Sequence, residues 1–296
     1  MMQHDASDFR LVKSIAIKAM FSDDYLMERL VLKGGNAIDI IYDIAERSSI
    51  DLDFSMNLDF KVDELPLIEA RIERVLEETF REHGLEAFDI VFMQRPKRTA
   101  ADSKEFWGGY RVEFKLIELK RRSEFGSNQS QLRRNALVIG PRQLKTFAID
   151  ISKFEYCSGK RAEEIDGLTV YVYTPEMIVF EKVRAICQQS EKYKAIVKTN
   201  TGTPRARDFF DIYSVMRRFP INFSSADSQS LVRAIFDAKH VPPSLIGEMD
   251  KSREFHRQDF VAVKDTLKPN LELKTFDFYF DYVVAQCKQL EPLWIV

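Results

Sequence analysis

Asp51 and Asp53 stand one residue apart in the run Ser49-Ile50-Asp51-Leu52-Asp53-Phe54-Ser55, which alternates strictly between polar and apolar side chains. A period of two is that of a strand, so Ile50, Leu52 and Phe54 share one face and both carboxylates project from the other, a few ångströms apart. Two like charges held so close call for a cation, and hard oxygen donors suit Mg²⁺ or Mn²⁺, above all where a substrate triphosphate completes the shell. On an exposed strand such a pair is more often just solvated, and its weight here comes from what precedes it. Gly34-Gly35 ends the short apolar run Leu30-Val31-Leu32-Lys33, sixteen residues before Asp51, and Asn36 is placed to cap a helix carrying Ile38, Ile41, Tyr42 and Ala45. A glycine pair between strand and helix lets backbone N–H groups and a helix N-terminus come close to phosphates, although the spacing is neither a Walker A nor a dinucleotide pattern. Asp150 is the third acid of interest: in Lys145 to Lys153, Phe147, Ile149 and Ile151 alternate with Ala148, Asp150 and Ser152. If that strand adjoins the Asp51 strand, three carboxylates converge and can hold two metal ions, as in-line nucleotidyl transfer requires.

The elements that must position these groups follow from pattern and punctuation. Residues Asp8 to Leu30 read as an amphipathic helix, Leu65 to His83 as another with Gly84 closing it, and Phe88 to Met93, Tyr110 to Leu119 and Lys145 to Lys153 as strands. Beyond residue 155 the period lengthens. Thr174-Pro175-Glu176 is a helix start, and the segments to Glu191, Arg205 to Arg218, Ser228 to Lys239 and Phe276 to Leu290 are helical in pattern. The expectation is an α+β chain, with an α/β portion over residues 1–155 that carries a mixed sheet and a mainly helical portion over 156–296. Lys198 to Pro204 and Phe125 to Gln131 read as loops.

Composition excludes several classes. With 296 residues, 45% of them apolar, and 23 Phe, the chain has ample material for a core, and disorder is excluded. The apolar runs are far too short to span a bilayer, and Met1-Met2-Gln3-His4-Asp5 has neither the basic nor the apolar region of an export signal. Cys157, Cys187 and Cys287 lie far apart without a CxxC, against a disulfide framework or a cysteine zinc site, so a reducing cytoplasm is the expected compartment. His4, His83, His240 and His256 show no ligand spacing and read as surface or capping residues, and the Phe-rich run from Phe276 reads as core. The net charge of −2 hides a regional one: Arg95 to Lys145 holds thirteen basic against five acidic residues. Phe106, Trp107, Tyr110 and Phe125 are interspersed there, as stacking groups in a channel for an unpaired nucleic-acid strand would be, or as core.

Four ordered stretches carry a resemblance: Leu32-Lys33-Gly34-Gly35-Asn36-Ala37, Arg47-Ser48-Ser49-Ile50-Asp51-Leu52-Asp53-Phe54, Glu181-Lys182-Val183-Arg184-Ala185 and Arg205 to Tyr213. Together they resemble the AbiEii/AbiGii toxin family, whose fold is similar to that of polymerase-beta-type nucleotidyltransferases. The resemblance implies the toxin half of an abortive-infection or toxin–antitoxin pair, with a separate cognate antitoxin. It also implies transfer of a nucleotide from an NTP, in several members onto the 3′ end of tRNA. Gly34, Gly35 and Ser49 would hold the triphosphate, and Asp51, Asp53 and Asp150 would bind Mg²⁺ or Mn²⁺, with Asp150 also helping to deprotonate the attacking hydroxyl. Lys182 would face the NTP phosphates as a point charge, with Asp208 or Asp211 orienting it or the incoming nucleoside. Two other readings compete: a phosphotransferase giving the γ-phosphoryl group to a protein or RNA hydroxyl, and a nucleotide-binding regulator without turnover.

Overall fold

A computed structural model of the chain describes residues 6–44, 51–97, 103–138, 143–198, 202–268 and 271–294. Among them β1 (Val31–Lys33), β2 (Leu52–Ser55), β3 (Leu85–Arg95), β4 (Gly109–Glu118), β5 (Phe147–Ser152), β6 (Arg161–Ile165) and β7 (Leu168–Val172) form one mixed sheet in the order β3-β4-β5-β2-β1-β7-β6. The helices are α1 (Ala6–Phe21), α2 (Asp24–Arg29), α3 (Gly34–Asn36), α4 (Leu65–Glu82), α5 (Leu119–Phe125), α6 (Gln129–Asn135), α7 (Pro175–Cys187), α8 (Glu191–Lys194), α9 (Ala206–Arg218), α10 (Ala226–Asp237), α11 (Arg253–Arg257), α12 (Val261–Lys264) and α13 (Phe276–Cys287). The chain is α+β, with helices dominant after β7.

Alternation decides which face of the sheet is covered. Leu52, Phe54, Val112, Phe114, Ile149 and Ile151 point into the core, where α1 and α4 pack on them: the rings of Phe21 and Phe54 lie 5.8 Å apart and those of Phe80 and Phe114 5.6 Å. The residues between them, Asp53, Arg111 and Asp150, therefore share the opposite face. On the far side α7 packs against α9 and α10, and α9 against α13. Phe276, Tyr279 and Phe280 are buried there, as the Phe-rich run implies, while Phe278 stays exposed.

The expected strands are all present, but several local readings are corrected. The helix expected over Asp8 to Leu30 is two, because Asp23 caps α2 by accepting from the Leu26 amide at 3.2 Å and also binds Arg71 and Arg74, each at 2.8 Å. Asn36 does not cap a helix: it ends α3, which runs on into a π-helical turn, Ala37–Ile41. The stretch from Phe125 to Gln131, expected as a loop, is mostly the end of α5 and the start of α6. The sheet runs past residue 155, because β6 and β7 form a hairpin on its edge, turned by Asp166 and Gly167 at φ of 50° and 82°. Asp-Gly between two alternating runs is itself a hairpin signal. The three cysteines are buried and free, and no helix among the described residues is long and apolar enough to cross a membrane.

Candidate functional site

Register builds the site. On four adjacent strands Lys33 pairs with Asp53 (β1 with β2), Asp53 with Asp150 (β2 with β5) and Asp150 with Arg111 (β5 with β4). One row across the sheet thus reads cation, anion, anion, cation. Asp51 stands just before β2, and its main-chain oxygen accepts from Asn36 Nδ2 at 2.5 Å, which ties the Gly34–Gly35 turn to the carboxylate segment. Gly34 has φ +68°, and a Cβ on it would lie 2.8 Å from Asp53 Oδ2, so the backbone can turn over the carboxylate only as glycine. Ser49, assigned with these glycines to the triphosphate, lies outside the described residues.

The row opens into a cleft of about 740 Å³ between the sheet and α7 and α9, lined by Gly34, Gly35, Asp51, Asp53, Asp150 and Lys182 among others. Burial pushes the Asp53 carboxyl up to about 7: Lys33 opposes the rise, while Asp150 and Asp51 add to it. Asp150 is also raised by burial, against the pull of Arg111. Asp53 is therefore short of positive charge, and a divalent cation held by Asp51 and Asp53 would supply it. The donor set fits such an ion in charge and hardness. It does not extend to a ready triad, for no three His, Cys, Asp or Glu side chains among the described residues close into a metal cluster.

Lys182 is buried, not an exposed helix lysine. Its Nζ meets Asp208 Oδ1 at 2.8 Å and Asp211 Oδ2 at 2.7 Å. Burial pushes Asp208 up, but Lys182 and Arg205 outweigh it and hold it below the usual carboxylate range. α7 and α9 thus bring Lys182, Asp208 and Asp211 together; Lys182 and Asp208 line the cleft, and Asp211 stands behind them.

Sequence reasoning missed a second charged layer on the cleft wall. Glu155 is buried between Arg184 at 2.6 Å, Lys33 at 3.5 Å and Lys239 at 3.5 Å, and Glu181 binds Lys33 and Arg184. Burial would raise Glu155, but the three cations hold it well below the usual range, and burial pulls Lys239 down to about 8. Glu181 and Arg184 stand at helical spacing, but Lys33, Glu155 and Lys239 are scattered along the chain and carry no spacing to read. Of the two roles expected for the histidines, surface or cap, His256 takes the second: it is buried, and its Nδ1 accepts the Arg205 amide at 3.0 Å, directly before α9. Of the aromatic residues, Phe106 and Tyr110 are core, Phe125 packs on a small cluster with Phe88, Ile117 and Leu132, and Trp107 lines the cleft.

Several solved structures are similar along nearly the whole chain. The JHP933 protein of Helicobacter pylori matches at 15% identity with a TM-score of 0.50, covering 99% of this chain and 95% of that one. A candidate nucleotidyltransferase from the same organism matches at 13% identity with a TM-score of 0.49, covering 99% and 97%. An antigenic nucleotidyltransferase-like protein from Paracoccidioides brasiliensis matches at 13% identity with a TM-score of 0.38, covering 89% and 95%. At such identities the likeness speaks to the fold. Among curated proteins no match was found. The model of the AbiEii nucleotidyl transferase toxins of type IV toxin–antitoxin systems matches residues 15–282. With the glycine turn, the carboxylate row and the Lys182 cluster all inside that span, the chain belongs to the AbiEii nucleotidyl transferase toxin family.

Proposed function

We propose that this chain transfers a nucleoside monophosphate from an NTP to a hydroxyl of an RNA, with the 3′ end of tRNA as the expected acceptor, and that it does so as the growth-inhibiting partner of a cognate antitoxin. The observation that carries the reading is the pairing of Asp53 with Asp150 on neighbouring parallel strands, directly under the Gly34 turn. Mg²⁺ or Mn²⁺ held by Asp51 and Asp53 would neutralise the triphosphate and polarise the reacting phosphate. Gly34 and Gly35 let the main chain approach the phosphates where a Cβ would strike Asp53. Asp150, raised by burial, is the carboxylate available to accept the proton of the attacking hydroxyl. Lys182, fixed by Asp208 and Asp211, presents its ammonium at the cleft wall instead of swinging freely in solvent, so its charge is pre-positioned for the phosphates. Trp107 offers a ring on the same wall.

The test uses purified protein, Mg²⁺, total RNA and each α-labelled NTP in turn, with pyrophosphate measured alongside. Label in RNA with matching pyrophosphate is the expected result. Release of nucleoside diphosphate instead would make the enzyme a phosphotransferase, and binding without either product would make it a regulator.

A further inference from the structure

Arg111 differs from the other described basic residues of the central segment in what surrounds it. Its Nη1 meets both oxygens of Asp150, at 3.0 and 2.8 Å; its Nε donates to Glu113 Oε1 at 2.8 Å; and its Nη2 lies 3.8 Å from Asp51 Oδ1. Three carboxylates therefore converge on one guanidinium. The arrangement is built into the sheet: Arg111 and Asp150 are register partners, and Glu113 is two residues further along β4 on the same face. Arg111 and Glu113 do not line the main cleft. They line a second hollow of about 300 Å³ behind it, walled by Phe9, Leu144 and Phe147, and Asp51 borders both spaces. The guanidinium is only 18% exposed and cannot lose its proton, so its charge is permanent.

We infer that Arg111 is the fixed cation of this carboxylate cluster, so that the chain without nucleotide takes one divalent ion, at Asp51 and Asp53, and Arg111 holds the place where three carboxylates alone would take a second. This rests on Asp51 and Asp53 being the metal-holding pair. Arg111 Nη1 bridges both oxygens of Asp150 and offsets much of the charge that carboxylate could lend an ion, whereas Asp53 has Lys33 opposite, itself committed to Glu155 and Glu181. Removing the guanidinium would leave Asp51, Glu113 and Asp150 without the cation they share, three oxygen donors of the kind that hard cations draw together. Arg111 is on this view a positioning residue: it holds Asp150 and sets the number of ions.

Manganese titration of the full chain without nucleotide, following free Mn²⁺ by its paramagnetic resonance signal, counts the ions directly. The wild type is expected to bind one ion, Arg111→Lys one, and Arg111→Gln two. Should Arg111→Gln fail to fold, Asp150→Asn gives the same answer from the other side, since it keeps its one ion if Asp150 is not a ligand. Two ions on the wild type, one on folded Arg111→Gln, or loss of the ion in Asp150→Asn would overturn the assignment. No ion on the wild type, or an undiminished one in Asp53→Asn, would overturn the metal pair and the role of Arg111 with it.

Discussion

At the scale of single residues, the unusual fact about Asp53 is that folding raises its pKa, to about 7. The usual carboxylate is stabilised by ionising; Asp53 is the reverse. The folded state holds its proton more tightly than the unfolded chain, so the contribution of this group to stability is full below the ordinary carboxylate range and is lost as pH rises through about 7. Melting temperature measured against pH in the presence of a chelator should show this loss in the wild type and not in Asp53→Asn. Mg²⁺ should raise the melting temperature of the wild type at pH 8 while leaving Asp53→Asn unmoved, and transfer by the variant should fall by about a hundredfold or more. An Asn variant with the wild-type pH curve would mean that Asp53 is not the strained carboxylate. Lys182 allows a second test at this scale. Lys182→Ala leaves Asp208 and Asp211 buried without their shared cation, which should cost about 3 to 5 kcal/mol. Lys182→Arg should recover stability better than activity, because a planar fork does not replace a compact ammonium. Combining Lys182→Met with Asp208→Asn and Asp211→Asn should restore melting but not NTP use; recovery of both would return Lys182 to a purely structural role.

At the scale of elements, the cluster depends on how α9 begins. Arg205 precedes the helix and has no side-chain cap of its own, and the Arg205 amide is satisfied instead by His256 from α11. Burial holds the His256 imidazole at about 4, well below its ordinary value. The sign here is opposite to that of Asp53: the unfolded chain protonates first, so stability is intact above the ordinary histidine pKa and is lost as pH falls toward about 4. The two groups pull against each other across nearly the same window, so the wild-type curve alone hides both. His256→Phe should melt lower at neutral pH, by about 1 to 3 kcal/mol for the orphaned amide, and should lose the acid limb that Asp53→Asn retains. An unchanged acid limb in His256→Phe would place the acid sensitivity elsewhere. This element also shows where sequence reading stops. The helix start at Thr174, the alternation of β2 and β5 and the carboxylates on them were all legible, since each depends on neighbours in the chain. That Asp53 would lie beside Asp150, that Arg111 would close the row, and that His256 would cap a helix 51 residues away depend on strand order and tertiary packing, which leave no local period.

At the scale of the whole molecule, the charge asymmetry of the sequence survives folding only in part. The surplus of eight between Arg95 and Lys145 meets counter-charges from the acidic residues of β3: Arg122 binds Glu86, and Arg133 and Lys115 share Asp89. Arg111 is spent inside the site. What remains on the surface of α5 and α6 are Lys120, Arg121 and Arg134, exposed and without an ion pair among the described residues. β4 leads from Arg111, level with Asp150, to Glu118, where α5 follows, so these cations lie beyond roughly 24 Å of strand from the carboxylates. An RNA touching both would be gripped far from the reacting end. If so, affinity should fall steeply with salt, each phosphate contact contributing a slope of roughly −0.7 on a single strand and roughly −0.9 on a duplex of DNA-like charge density. Neutralising Lys120, Arg121 and Arg134 together should flatten the slope by about two to three units and weaken RNA binding, with NTP affinity unchanged. Arg122→Gln should instead lower stability more than binding, because it would strand the partly buried Glu86 on β3, whereas Arg133→Gln leaves Asp89 with Lys115 and should change both little. RNA binding across a salt series, for the triple variant and for the two single ones, decides between the surfaces: equal slopes in the wild type and the triple variant would make this face ordinary solvated protein and move the acceptor to the cleft wall around Trp107, Arg205 and Arg95.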